Sequence, residues 1–280
     1  MVKLSALAAA AVAIAGWINP DAGPADPRAH RTIPSVPDAP FAGPFAVPFA
    51  VPFAVPFAVP LAATLGAGHG VESADPSGAT RLTIARLQYD GGGDWYANPS
   101  SLPNLLAAIA ERTTLKVERT EARTTLMDDR LWDYPFLHVT GHGNIHFSDA
   151  EIVRLREYLA RGGFLHVDDN YGLDESFRRE IARVYPDRPL VDVPLSHPIY
   201  HLVYDFPKGV PKIHEHDGKP ARGFGIFLGN RLAVYYTFSS DLGNGWEDVG
   251  TYADPPALHE AALRMGVNLF VYAVTSRPSV

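Results

Sequence analysis

The feature that most constrains the fold is a helix signal placed between two apolar runs. The runs occupy residues 134–140 and 164–168 and are rich in residues that favour strands. Between them, Ser148 and Glu151 have the spacing of a capping box, which opens a helix, and the glycine pair at 162–163 ends it. Two strands joined by a helix through connections this short predict parallel neighbours with a right-handed crossover.

The same alternation of strand and helix signals continues on both sides of this unit. It predicts one doubly wound α/β domain over residues 78–276, with a mainly parallel sheet and helices on both faces. The turn-forming pair Gly229-Asn230 predicts a hairpin near the end of the domain. Further strands are predicted at 81–87, 115–119, 190–193, 223–228 and 231–237, and further helices at 101–112, 174–184 and 255–274.

The residues before the domain have the pattern of an export signal. Lys3 precedes an apolar run over residues 4–15 that ends in small residues. This run is shorter than the roughly 20 residues that a membrane-spanning helix needs, so residues 1–19 are predicted to be a signal peptide or an N-terminal anchor. Either form would place the domain in the periplasm or at the membrane facing it. Residues 277–280 are predicted to be a tail.

A four-residue Pro-Phe-Ala-Val repeat fills residues 40–61. Proline at every fourth position prevents a helix, because each proline removes a hydrogen bond and clashes with the preceding turn. The repeat therefore predicts an extended, disordered spacer within residues 20–77. Two alternatives stay open: the regularly spaced phenylalanines could contact a membrane, the cell wall or a partner, or the repeat could be a tandem expansion without a function.

Charge and cysteine content exclude several classes of function. The net charge of −7 belongs entirely to residues 71–280, because residues 1–70 carry three basic and three acidic side chains. An acidic domain does not attract a phosphate backbone, so no nucleic-acid partner is expected. The chain contains no cysteine, which excludes disulfides, thiolate metal sites and cysteine nucleophiles.

Several short motifs in combination resemble the DUF4159 family of bacterial proteins. The motifs lie at residues 89–96, 141–151, 164–169, 195–200, 232–236 and 241–247, and the resemblance covers about residues 80–275. It implies a flavodoxin-like sheet similar to that of class I glutamine amidotransferases and trehalose-utilisation-type domains. In amidotransferases the loop after the strand that corresponds to residues 164–168 carries a cysteine nucleophile. Here Asp168-Asp169-Asn170-Tyr171 follows, and a carboxylate cannot perform thiolate acyl transfer, so glutaminase activity is not expected.

Ligands of open parallel sheets bind at the carboxyl ends of the strands. Four loops are predicted to lie there, at residues 91–95, 141–144, 168–171 and 196–200. The candidate catalytic residues, as acids, bases or metal ligands, are His142, Asp168, Asp169 and His197. The candidate ligand-binding residues are Gly91, Gly92, Gly93, Asp94, Trp95, Gly141, Gly143, Asn144, Asn170, Tyr171, Asp241 and Trp246.

Each candidate has a structural alternative. The glycines at 91–93 could form a plain turn, His142 could bridge loops, and Trp246 could be a packing residue. One of the two adjacent aspartates, Asp168 or Asp169, could cap the following helix.

The remaining histidines are predicted to be structural. His138 and His166 lie inside strands and are expected to be satisfied core residues, while residues 214–216 are expected to form a solvated loop. The pairs His142/His146 and His197/His201 have zinc-like spacing, but they lie in loops rather than on a helix. Neither pair is therefore taken as a zinc motif, and no metal or cofactor is clearly implied.

Three functions remain open from the sequence. The first is a non-catalytic domain of the cell envelope that binds a small molecule or a protein partner. The second is a carboxylate- and histidine-based or metal-dependent hydrolase that acts on a sugar or cell-wall fragment. The third is an assembly role in which the Pro-Phe repeat makes the contact.

Overall fold

The computed structural model describes residues 81–276, which form a seven-stranded mixed sheet covered by helices. The strands are β1 (Ile84–Leu87), β2 (Ala122–Thr124), β3 (Phe136–Val139), β4 (Phe164–Asp168), β5 (Val191–Asp192), β6 (Arg222–Leu228) and β7 (Arg231–Phe238). The α-helices are α1 (Ser101–Arg112), α2 (Asp149–Ala160), α3 (Asp174–Val184), α4 (Leu242–Trp246) and α5 (Pro256–Thr275). Two short 3-10 helices span Asp129–Asp133 and Pro198–Tyr200.

The strand order is β2-β1-β3-β4-β7-β6-β5. The first five strands in this order are parallel, whereas β6 is antiparallel to both of its neighbours. The prediction of a doubly wound, mainly parallel α/β domain is confirmed. The helix signal between 134–140 and 164–168 is confirmed as well, because Ser148 and Glu151 form both hydrogen bonds of the capping box.

Helices cover both faces of the sheet. One buried core lies between the sheet and helices α1 and α5, and the other lies between the sheet and helices α2 and α3. Strands β3 and β4 read as continuous apolar runs because they are buried on both faces. Within residues 81–276 no helix is long and apolar enough to cross a membrane.

Two secondary-structure predictions need correction. The strand expected at 115–119 is absent, because Val117 makes only an isolated bridge to Leu82 while the strand that pairs with β1 lies at Ala122–Thr124. The short helix α4, at Leu242–Trp246, was not predicted from the sequence. The predictions for residues 1–77 and 277–280 fall outside the described residues.

The order of the strands brings distant segments to one edge of the sheet. Strands β1, β3, β4 and β7 all end there, because they are parallel. Strand β6 begins at the same edge, because it runs antiparallel to β7. We call this side of the sheet the carboxyl edge, and the polar side chains of interest lie along it.

Candidate functional site

Asp168 is the last residue of β4 and is completely buried. Its carboxylate accepts hydrogen bonds from the Thr237 hydroxyl at 2.5 Å, from the Leu242 N–H at 3.1 Å and from the Gly243 N–H at 2.6 Å. Burial, and then the charge of nearby Asp241, raise the pKa of Asp168 above its ordinary value. Asp168 therefore holds the first turn of α4 against the end of β4.

Asp169, the adjacent residue, forms different hydrogen bonds. One of its carboxylate oxygens accepts hydrogen bonds from the N–H groups of Tyr171 at 3.1 Å and Leu173 at 3.2 Å. These contacts fix the loop that leads into α3. Burial raises its pKa. The structure thus gives Asp169 the loop-stabilising role that the sequence left open for one of the two aspartates.

Asp241 lies between β7 and α4 and is 1% exposed. Its Oδ2 accepts hydrogen bonds from His216 Nε2 and Asn244 Nδ2, both at 2.8 Å. Its Oδ1 is buried and has no hydrogen-bond partner among residues 81–276. Burial raises the pKa of Asp241 to about 7, with the imidazole of His142 opposing this shift and the carboxylate of Asp169 adding to it. An unpaired buried carboxylate oxygen is unusual and calls for a functional explanation.

His216 lies beside Asp241 and stacks against Tyr171. Their rings are stacked, with centroids 5.0 Å apart and planes 20° from parallel, and Tyr171 is 53% exposed. Residues 214–216 were expected to form a solvated loop, and they do form a loop in which Glu215 and His216 are exposed, but the His216 ring is also hydrogen-bonded to Asp241. The segment precedes β6, and because β6 is antiparallel to β7 the segment is placed at the carboxyl edge beside Asp241.

A second imidazole–carboxylate pair joins the loops after β1 and β3. Asp94 Oδ2 lies 3.0 Å from His142 Nδ1, and the other oxygen of Asp94 accepts a hydrogen bond from the His142 N–H. Such a carboxylate fixes the orientation of the ring and leaves Nε2 to face outward. His142 also influences the pKa values of Asp241 and His216, so the two imidazole–carboxylate pairs lie within electrostatic range of each other.

The glycines of these two loops allow their backbones to pack closely. A Cβ atom on Gly93 would lie 2.8 Å from the carbonyl oxygen of His142, and one on Gly141 would lie 2.9 Å from that of Asp94. Gly91 has a φ of 115° and its carbonyl accepts a hydrogen bond from Asn144. These glycines therefore shape the Asp94–His142 pair rather than a phosphate cradle.

The other candidate ligand-binding residues of the loops at this edge make the following contacts. The carbonyl of Gly143 accepts a hydrogen bond from Ser176, and the Asn170 amide oxygen accepts one from Thr140. Trp95 packs edge-on against Tyr96, and Gly92 adjoins open space.

Backbone strain is concentrated at the carboxyl edge. Five non-glycine residues in the described part of the chain have positive φ: Asn98, Tyr171, Ser239, Asp241 and Ala253. All five lie in loops at this edge or beside residues that face it, and Asp241 has a φ of 65°. A strained backbone persists where the surrounding structure enforces it, which is frequent in binding and catalytic sites.

An open cleft of about 280 Å³ lies beside the stacked rings. Its walls come from the loops after β4 and β7 and from the segment before β6. The lining residues include Asp169, Tyr171, Asp174, Glu175, His216, Asp217 and Lys219, so acidic groups outnumber basic ones.

A chain of buried polar groups runs from Asp168 into the sheet. His166 Nε2 lies 3.1 Å from the Thr237 hydroxyl, and His166 Nδ1 lies 3.1 Å from His138 Nδ1. Burial lowers the pKa of both imidazoles, to about 3 for His166. Both histidines are buried as predicted, but His138 is not fully satisfied, because its Nε2 has no partner within residues 81–276.

The family model described as "Domain of unknown function (DUF4159)" matches residues 83–274. The chain belongs to the DUF4159 family. No curated protein matches the chain. The matched range of this DUF4159 domain contains every residue of the carboxyl edge described above.

The structure corrects the placement of His197 in the DUF4159 domain. Its ring packs against Phe227 and Tyr272, and the Tyr272 hydroxyl accepts a hydrogen bond from the N–H of Leu232 near the start of β7. Leu232 lies five residues before Thr237, which is about 17 Å along a strand. After β5 the chain runs back toward the opposite edge of the sheet, so His197 lies far from His142 and Asp168.

Trp246 and Glu247 also lie away from the ligand-facing surface. Trp246 is fully buried, packs against His138 and His166, and donates a hydrogen bond to the Ala262 carbonyl. Glu247 accepts hydrogen bonds from the N–H groups of Ser100 and Ser101 at the start of α1. Trp246 is therefore a packing residue of the domain and not a wall of the site.

No group of three or more His, Asp or Glu side chains in the described range is arranged to hold a metal ion. The carboxyl edge instead combines buried carboxylates, half-exposed imidazoles and an exposed aromatic ring. This set can accept and donate hydrogen bonds and exchange protons near neutral pH.

Proposed function

We propose that the DUF4159 domain of this chain binds a small polar molecule at the carboxyl edge, over Asp241, His216 and Tyr171. The observation that carries this proposal is the buried, unpaired Oδ1 of Asp241, held in a strained backbone conformation. Leaving a buried acceptor unpaired costs roughly 1–3 kcal/mol. A ligand that donates to or accepts from this carboxyl group would remove that cost, so the arrangement favours the bound state.

The charge of the site limits the ligand. Asp169 and Asp254 lie within electrostatic range of Asp241, and Asp169 and Asp217 lie within range of His216. The lysines near them are Lys212, and Lys219, which is paired with Asp217. A phosphate or carboxylate ligand would be repelled by this set, because like charges at short range are unfavourable. The ligand is therefore neutral or cationic.

The exposed ring of Tyr171 adds a flat apolar surface beside the polar groups. Stacked on His216, it leaves one face of the pair toward the 280 Å³ cleft. A flat ring beside carboxylates suits a compact molecule that has an apolar face and polar edges, such as a sugar or an amino sugar.

The proposal also includes a cellular location for the protein. The signal-like residues 1–19 support export and a role in the cell envelope. Cell fractionation with N-terminal sequencing of the mature protein tests this. Recovery of the intact chain, starting at Met1, from the cytoplasm would contradict it.

Binding is tested by calorimetry on the full chain with methyl glucoside, N-acetylglucosamine, glucosamine and spermidine as probes. We expect Asp241→Ala to weaken binding of whichever probe binds by tenfold or more, which corresponds to about 1.4 kcal/mol. Asp187→Ala is the matched control, because Asp187 is exposed and follows the end of α3 remote from the carboxyl edge. Equal affinity of the two variants would rule out Asp241 as a binding residue.

A second candidate function is acid–base hydrolysis of a glycosidic or cell-wall bond. It is favoured by the Asp94–His142 pair, in which a carboxylate orients an imidazole as in a general base. We expect His142→Ala to abolish turnover of a chromogenic glycoside library, while His146→Ala, the exposed neighbour, has no effect. If the wild-type protein turns over none of these glycosides, the hydrolase function is ruled out for them and only the binding function remains.

A further inference from the structure

Asp168 and Asp241 form a buried carboxyl pair whose members have unequal surroundings. They are close, because Asp168 accepts the N–H of Leu242, the residue that follows Asp241. Two carboxylates buried this close do not both stay ionised at neutral pH, and the pair takes up a proton together. The hydrogen bonds around each carboxyl group decide where that proton resides.

Asp168 is surrounded by donors that stabilise its ionised form. The Thr237 hydroxyl and the N–H groups of Leu242 and Gly243 all point at its two oxygens. Two backbone N–H groups cannot be turned into acceptors. These three donors favour the ionised form of Asp168, because a protonated carboxyl group is a weaker acceptor.

The remaining donor, the Thr237 hydroxyl, lies at the end of a chain of buried histidines. With Asp168 ionised, Thr237 donates to Asp168, His166 Nε2–H donates to Thr237, and His138 Nδ1–H donates to His166. Protonating Asp168 on the oxygen that faces Thr237 would end the donation from Thr237 to Asp168 and turn the Thr237 hydroxyl hydrogen to the Val167 carbonyl, 3.2 Å away. The present hydrogen-bond arrangement therefore favours the ionised form of Asp168.

Asp241 has fewer donors and an oxygen that is free to carry a proton. Only Oδ2 accepts hydrogen bonds, from His216 and Asn244. The titratable or charged groups that face Asp241 are His142 and Lys212, which favour its ionised form, Asp168, Asp169 and Asp254, which oppose it, and its hydrogen-bond partner His216.

We infer that at neutral pH the shared proton resides on Oδ1 of Asp241, while Asp168 stays ionised. This inference rests on the proposed function and narrows its ligand class. A protonated Asp241 offers a carboxylic-acid O–H, which binds an acceptor oxygen such as a hydroxyl, ether or carbonyl group. A cation would need the ionised carboxylate. The ligand class is therefore a neutral, oxygen-rich molecule of sugar type and not a polyamine.

The assignment is tested by carboxyl-carbon NMR of the full chain labelled with ¹³C-aspartate, titrated from pH 4 to 9 without ligand. The resonance missing from the Asp241→Asn spectrum belongs to Asp241, and the one missing from the Asp168→Asn spectrum belongs to Asp168. We expect the Asp241 resonance to titrate near neutral pH and the Asp168 resonance to keep its ionised position there.

Titration of Asp168 near neutral pH, or an Asp241 resonance that is already ionised at pH 6, would overturn the inference. If Asp168→Asn does not fold, the Asp241 resonance decides alone. His216→Ala provides a second measurement, because it opens Asp241 to water and we expect its titration to move toward the ordinary carboxyl range. A titration that does not move in this variant also contradicts the inference.

The ligand class is tested with methyl glucoside and N-acetylglucosamine against spermidine, at pH 6 and pH 8.5. We expect a neutral sugar to bind about tenfold less tightly at pH 8.5. We expect this pH dependence to disappear in Asp241→Asn, whose amide donates at both pH values. Binding of spermidine alone, strengthening as pH rises, would refute the inferred class. Binding of none of these probes would count against the proposed function, while the NMR titration still decides where the proton resides.

Discussion

At the scale of single residues, adjacent aspartates have different tasks in this chain. Asp168 holds the first turn of α4, and Asp169 holds the loop before α3. The sequence predicts that adjacent strand residues point to opposite faces, but it does not show which of the two would be buried beside a third carboxyl group, Asp241. That depends on a contact between residues 73 positions apart, since Asp241 is brought to Asp168 by the pairing of β7 with β4.

The carboxyl pair has a consequence for stability that depends on pH. Its pKa in the folded protein is about 7, above the ordinary value of 3.8, so the folded state holds a proton that the unfolded state has released. The resulting stability is fully present below about pH 4 and is lost as pH rises toward 7. Asp241→Asn has no such proton to lose. We therefore expect its free energy of unfolding, measured relative to that of the wild type, to increase by at least about 1 kcal/mol from pH 5 to pH 8.

Chemical denaturation at pH 5 and pH 8 measures this difference. Asp187→Asn is the control, because this aspartate is exposed and its substitution should shift both measurements equally. If Asp241→Asn and Asp187→Asn follow the same pH dependence, Asp241 does not hold a proton of this kind.

At the scale of secondary-structure elements, signals within a few residues were predicted well. Helix α2 was predicted from Ser148, Glu151 and the glycines at 162–163, and each acts locally as expected. The second strand was misplaced, because Ala122–Thr124 has no apolar alternation, whereas the run at 115–119 resembles a strand but makes a single bridge. Helix α4 has two glycines in five residues and depends on Asp168 from another element, so no local pattern marks it.

The capping box of α2 gives an element-scale prediction. We expect Ser148→Ala to destabilise the domain by about 1 kcal/mol, because the Glu151 N–H loses its acceptor at the helix start. Ser196→Ala is the control, since Ser196 is exposed in a turn and its loss should change stability by less than about 0.5 kcal/mol. Urea denaturation midpoints measure both, and equal values for the two variants would show that the box does not stabilise α2.

The link between α4 and α1 gives a second prediction at this scale. Glu247 accepts three hydrogen bonds from Ser100 and Ser101 and is largely buried. We expect Glu247→Ala to cost about 2 kcal/mol, because the first N–H groups of α1 then lose their acceptor. Glu157→Ala, which removes an exposed carboxylate of α2, is the matched control. A similar loss of stability in both variants would show that the link contributes nothing specific.

At the scale of the whole molecule, the sequence predicted the sheet and its carboxyl edge but not which segments reach that edge. Parallel strands β1, β3 and β4 brought the expected loops together. The return of the chain through β6 carried His216 to the edge, while the turn after β5 carried His197 away from it. The directions of β5 and β6 near the end of the mixed sheet determine the positions of both histidines, and no short sequence pattern encodes strand direction.

The last helix gives the prediction that belongs to this scale. Helix α5 supplies ten buried residues, among them Phe270 at the centre of one core. We expect a chain ended after residue 255 to lose cooperative thermal unfolding, because the sheet face opposite α2 and α3 is then exposed to water. Cooperative unfolding of this truncated chain, followed by circular dichroism, would show that the remaining core suffices.

The hydrogen bond from Tyr252 to Asn98 spans 154 positions, and the one from Ser100 to Glu247 spans 147. Contacts of such sequence separation form late in folding, since the chain first loses the entropy of closing the intervening loop. The carboxyl edge is thus completed only after nearly the whole domain has been synthesised and arranged. A nascent or partly unfolded chain would display the sheet without its completed carboxyl edge, so the binding proposed there would itself report that folding is complete.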